Sequence, residues 1–187
     1  MVTREAFQEA FDRLFVDGAI PAHIARRGYA LATEDDMGKV LRIHLLIERA
    51  LKNGIAQSVP WPDHLPRLRS FGDRVGLALA LGLDPDLKGP LTAINSLRND
   101  FAHEENKERV TDEDVRRLRS AMIPNHARIA EEMHELSAKM ARDFGLEIEH
   151  MRPISELTPG NRWAFYALAV LSGLEFREWG LALPGKA

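Results

Sequence analysis

The sequence contains no cysteine. That excludes disulfides, thiolate metal sites and cysteine nucleophiles, and it leaves no redox compartment to be read from the chain. A basic excess is also missing: 25 lysines and arginines stand against 28 aspartates and glutamates, a formal net charge of -3. Proteins that grip long duplex DNA by its phosphates carry the opposite balance, so direct duplex reading is not expected. A small RNA site built from a few local arginines stays open. Long apolar runs are absent too. The most apolar stretch, "WAFYALAVLSGLEF" from Trp163 to Phe176, is too short to span a bilayer. The opening "MVTREAFQEAFDRLF" lacks the unbroken apolar centre of a signal peptide. These features predict a cytoplasmic protein without a membrane partner. No glycine-rich loop follows a strand, and neither G-x-S-x-G nor H-E-x-x-H occurs, so dinucleotide, P-loop, serine-hydrolase and zincin readings fail.

What is present is helical periodicity along almost the whole chain. With 187 residues, 45% hydrophobic and 28% charged, one well-packed domain is the default. A first helix is predicted over Thr3 to Phe15, before Gly18 and Pro21. A second starts near Thr33 or Glu34, where threonine can cap and three acids meet the positive helix end. Its apolar face, from Val40 to Ile55, is wide enough to make it central. "SVPWPDHLPRL" is a proline-rich loop. Helices are then predicted from about Pro66 to Leu81, ending at Gly82, and from about Pro90 to Ala102. Thr111 with Asp114 forms a capping box for a long helix from Asp112 to about Phe144, kinked or broken near Pro124. A last helix runs from about Asn161 to Trp179. The predicted fold is an all-α bundle over residues 1–150. A helical appendage at 151–187 packs on that bundle or on a dimer partner.

Few side chains carry a chemical signal. Glu131 with His134 is the best-spaced pair of metal ligands on the long helix, set against a plain solvated face, and no metal or other cofactor is predicted. "ARR" at Ala25 to Arg27 and "RRLR" at Arg116 to Arg119 are basic but interleaved with acids, the pattern of a solvent face. His44 and Glu48 lie one turn apart on the most apolar helix. A carboxylate there needs a partner, and arginine is the commonest good one. Glu48 therefore either bridges to an arginine that holds the bundle or orients a catalytic arginine or histidine.

The densest signal is "SLRNDFAHEE", Ser96 to Glu105. Asn99 and His103 are four apart and share a helix face. Arg98 is five before His103, roughly 140° round a straight helix. The two side chains meet only if the helix ends between them or if a second copy supplies the opposing pair. The chemistry they suit is phosphoryl transfer in RNA. A histidine can take the proton of a ribose 2′-hydroxyl or give one to the leaving 5′-oxygen. An arginine presents a charged fork to phosphate oxygens, and asparagine can position either. The bland alternative pairs Arg98 with Glu48 or Asp100 and lets His103 cap the last carbonyls of its helix.

"LRNDFAH" at the end of the fourth helix of an all-α bundle resembles the active-site motif of the HEPN superfamily, an arginine, usually a polar residue, and a histidine after four to six intervening residues. "FGDRVGLALALGLDPDLKGPLTAINSL" and "HLLIERAL" resemble the mannitol-operon-repressor-like branch, and the similarity covers roughly Lys39 to Leu118. The resemblance implies an up-and-down bundle that forms a homodimer with two motifs facing across a cleft. Active relatives are metal-independent endoribonucleases, often toxins paired with an antitoxin or effectors of defence against phage. Cleavage would then rest on His103 and Arg98, with Asn99 supporting and His44, Glu48 and Asp100 around them, leaving a 2′,3′-cyclic phosphate. The same family contains non-catalytic members, which implies as the alternative a transcriptional or stress regulator acting through protein contacts.

Overall fold

The computed structural model describes residues 35–143 and 152–175. Within them the chain is all-α, with six helices and no strand: α1 (Asp36–Gln57), α2 (Phe71–Ala80), α3 (Lys88–His103), α4 (Asp112–Ser120), α5 (Pro124–Asp143) and α6 (Pro159–Glu175). Short 3-10 turns at Pro62–His64, Pro85–Leu87 and Ile154–Glu156 join them. The helix expected over Thr3 to Phe15 lies outside the described residues, as does everything from residue 176 onward.

Helix ends follow side-chain chemistry. The Asp35 carboxylate accepts from the Gly38 N–H, so α1 begins at Asp36, slightly later than a threonine cap at Thr33 would place it. The start expected near Pro66 moves to Phe71. Ser70 Oγ accepts from the Asp73 N–H, and Asp73 Oδ2 accepts from the Ser70 N–H, both at 3.0 Å. That reciprocal pair fixes the first turn, and Pro66 belongs to the lead-in. α2 ends as expected at Gly82, whose φ of 101° lets the Leu83 N–H reach the Ala78 carbonyl at 2.9 Å. The predicted box of Thr111 and Asp114 is present. The long helix expected from Asp112 is broken rather than kinked. α4 stops at Ser120, and Pro124, which has no N–H to contribute, opens α5.

The core centres on α6. Every residue from Trp163 to Ser172 is buried, and a helix apolar on all sides belongs inside a bundle. It packs against α1, α4 and α5 of its own chain. Trp163 and Phe165 are 1% exposed, and each contributes roughly 1.5–3 kcal/mol relative to an exposed position. α1 packs on α6, α3 and α2, and its Val40, Ile43, Ile47, Leu51 and Ile55 are all buried. α3 lies against α1 and α4 and buries Leu91, Ile94, Leu97 and Phe101, the i, i+3, i+6, i+10 stripe of an amphipathic helix.

Polar ties hold the α6 end of the bundle. Asp36 Oδ2 accepts from the Val110 N–H at 2.9 Å, and its carboxylate lies against Gly160. Arg119 Nε donates to the Tyr166 hydroxyl at 3.2 Å, and Arg162 pairs with Asp112. Among the described residues no helix is long and apolar enough to cross a membrane.

Candidate active site

α3 runs unbroken from Lys88 to His103, and the Glu104 N–H closes it on the Asp100 carbonyl at 2.9 Å. The helix therefore does not end between Arg98 and His103. At 3.6 residues per turn their Cβ directions stand roughly 140° apart. Exposure agrees with this divergence: Arg98 is half-buried towards the bundle, and His103 is exposed on the final turn. One chain does not aim both side chains at one phosphate.

The buried side of the motif meets α1 and α2. Arg98 Nη1 donates to Asn99 Oδ1 at 3.2 Å. Among the described residues no carboxylate pairs with Arg98. Both acids that could have claimed it are engaged elsewhere. Glu48 accepts from Arg74 Nη1 at 2.8 Å, with side chains 22% and 14% exposed, and Arg74 Nη2 also donates to the Leu68 carbonyl at 3.3 Å. Asp100 faces α4 and pairs with Arg117 at 3.5 Å. Arg98 thus keeps most of its five donors for something else.

His44 completes this side. It is 5% exposed, its ring lies 4.8 Å from that of Phe71, and its Nε2–H donates to Asn95 Oδ1 at 3.2 Å. Burial pushes the His44 pKa below its ordinary value. The Asn95 hydrogen bond and the Glu48 charge oppose that shift, while the positive charges of Arg98 and Arg74 reinforce it. His44 is therefore a neutral imidazole at neutral pH, inside the electrostatic reach of Arg98. A protonated His44 and a charged Arg98 would repel one another.

The predicted residues therefore divide into two groups. His44, Glu48, Arg98 and Asn99 gather where α1, α2 and α3 meet. Asp100 and His103 lie on other sides of α3. Chemically, the first group offers a guanidinium held beside an amide and a neutral histidine, while its carboxylate, Glu48, is taken by Arg74. That suits recognition of a phosphate oxygen. His103 offers an imidazole open to solvent. Three members were not foreseen: Asn95, Arg74 and Phe71. Asn95 was within reach of spacing, since it precedes Arg98 by three and Asn99 by four on one helix. Arg74 and Phe71 depend on the register of α2, which the Ser70 and Asp73 box sets.

Glu131 and His134 do not form a ligand pair, because Glu131 is exposed and His134 is buried. Among the described residues no group of three or more histidine or carboxylate side chains is arranged to hold a metal ion. Comparison with known protein families, with curated proteins and with solved structures finds no match for this chain.

Proposed function

We propose that this chain is a metal-independent endoribonuclease of HEPN type, of the kind that serves as a toxin or defence effector, and that it works as a homodimer. Its site combines Arg98 and Asn99 of one copy with His103 of the other. The observation that carries the reading is the guanidinium of Arg98, half-buried, braced by Asn99 and left without a carboxylate among the described residues. A motif serving only the bundle would tie Arg98 to Glu48 or Asp100, and those acids bind Arg74 and Arg117. Divergence of Arg98 and His103 on an unbroken helix makes the second copy a chemical requirement.

In the proposed reaction His103 removes the 2′-hydroxyl proton, the 2′-oxygen bonds to phosphorus as the bond to the 5′-oxygen breaks, and the His103 imidazolium returns the proton to that leaving oxygen. Arg98 carries the charge that grows on the equatorial phosphate oxygens. The product strand ends in a 2′,3′-cyclic phosphate. Incubating purified, tag-free protein with single-stranded RNA and excess chelator tests this. Wild type should cleave, and Arg98→Ala and His103→Ala should each lose roughly 10²-fold or more. Intact RNA with wild type, or equal cleavage by all three proteins, would reject the proposal.

A second reading, a non-catalytic regulator acting through protein contacts, has its own support. Leu45 on α1 and Trp61 in the loop after it are 62% and 73% exposed, and apolar side chains of that size suit a protein partner. It predicts an inert protein whose partner binding is lost on Leu45→Glu and Trp61→Ala.

A further inference from the structure

α1 carries an apolar stripe that the described part of the bundle does not cover. Met37 and Leu45 are 42% and 62% exposed, and Leu41 between them is half-buried and outside the core. Spaced four apart, the three side chains lie within roughly 80° of one another round the helix. Single exposed apolar residues are ordinary on a protein surface, whereas an ordered row of them marks an interface.

The stripe runs beside the motif on α3. His44, next to Leu45 on α1, meets Asn95 in the middle of α3, and Asp36, at the start of α1, holds the Val110 N–H just past the end of α3. The two helices are therefore antiparallel, and the stretch from Asn95 to His103 follows the stripe from Leu45 back towards Met37. The two ends of α1 also differ in charge. Asp35 is exposed at the N-terminal end, and Arg49 and Lys52 are exposed near the other. Among the described residues neither cation has an ion-pair partner. A helix acidic at one end and basic at the other complements a second copy of itself laid antiparallel, and the helix dipoles favour the same arrangement.

We infer that this stripe is the face on which a second copy of the chain docks, α1 against α1 in antiparallel, about a two-fold axis that crosses near Leu41 and Leu45. The inference rests on the proposed shared site and says where its two copies meet. A two-fold axis perpendicular to the paired helices keeps both α3 helices on one side of the pair. A site that takes Arg98 from one copy and His103 from the other requires that placement. Met37, Leu41 and Leu45 supply the apolar burial, while the charged helix ends fix direction and register more than strength.

Analytical ultracentrifugation of the full chain tests it, together with one introduced thiol, since the chain has no cysteine of its own. Wild type should sediment as a dimer. Leu45→Glu, at an exposed position, should weaken that dimer by roughly tenfold or more while leaving the helical circular dichroism spectrum unchanged. Under mild oxidation Leu45→Cys should form a covalent dimer, and Gly76→Cys, on α2 with open space around it, should not. A monomeric wild type overturns this inference and the shared site together, and a lowered Tm of Leu45→Glu in that case would assign the stripe to another segment of the same chain. A wild-type dimer that Leu45→Glu leaves intact, with no cross-link through Leu45→Cys, overturns the docking face alone, and RNA cleavage by that dimer would leave the nuclease reading standing.

Discussion

Gly160→Ala should destabilise this protein, although glycine inside a helix is normally the weaker choice. Gly160 is the second residue of α6 and is buried. A Cβ added there would lie 2.0 Å from Asp36 Oδ1 and 2.7 Å from Asp36 Cγ. The Asp36 carboxylate must then move away. It holds the Val110 N–H at 2.9 Å, sits at the positive end of α6, and lies 3.6 Å from Lys39, whose side chain is 7% exposed. Leaving the buried Val110 donor unpaired costs about 1–3 kcal/mol. Losing an anion at a helix N-terminus adds about 0.3–1 kcal/mol. Against these stands the helix preference for alanine, at most about 1 kcal/mol and less in a first turn. The net expectation is a loss of roughly 1–3 kcal/mol, or about 3–10 °C in Tm for a chain of this size. Urea unfolding followed by circular dichroism measures it. The decisive comparison repeats the substitution in an Asp36→Ala background, where the obstacle is gone. There Gly160→Ala should be neutral or slightly stabilising, giving a coupling energy of about 1–3 kcal/mol. An equal cost in both backgrounds would refute the close approach of Asp36 to α6.

Three further outcomes follow from the same geometry. Asp114 accepts from the Thr111 N–H and Oγ1 at 2.8 Å and from Lys107 Nζ at 2.7 Å. Burial raises its pKa, but the Lys107 and Thr111 hydrogen bonds together hold it below the usual carboxylate value. Asp114→Asn should cost about 1–3 kcal/mol at pH 7, and because a depressed carboxylate loses its contribution only as pH falls below about 3.9, the difference from wild type should stay constant from pH 8 to 5 and shrink in stronger acid. His44 has the opposite character: its folded pKa is lowered, so the unfolded chain takes up a proton first as pH falls through about 6.5. Stability should decline from pH 7 to 5, and His44→Gln, compared by denaturant titration, should flatten that decline. Arg74→Ala strands the half-buried Glu48 and should cost about 1–3 kcal/mol, whereas Arg98→Ala, which loses only the bond to Asn99, should stay within about 1 kcal/mol of wild type in the same assay.

The parts of the fold readable from the chain were those set locally. The Thr111 and Asp114 box and the Gly82 helix end are decided within a few residues, and each lies where its chemistry places it. Pro124 marked an interruption, but the choice between kink and break depended on how α5 packs against α6, which local signals do not carry. The apolar character of α6 was plain, whereas its place at the centre required knowing which helices it joins. At the candidate site, the divergence of Arg98 and His103 followed from helix geometry alone. The assignment of Glu48 to Arg74, 26 residues away, did not, because several arginines were equally eligible until α2 docked on α1.

The most direct measurement on the proposed nuclease site mixes two disabled proteins. Arg98→Ala and His103→Ala, each inactive alone, are unfolded, combined in equal amounts and refolded before RNA is added with chelator, with wild type treated identically. If each site takes Arg98 from one copy and His103 from the other, a mixed dimer keeps one intact site of two. Half the dimers are mixed, so activity should return to about a quarter of wild type. A mixture as inactive as its components, beside an active wild type, would contradict the shared site, and an inactive wild type would contradict the nuclease itself.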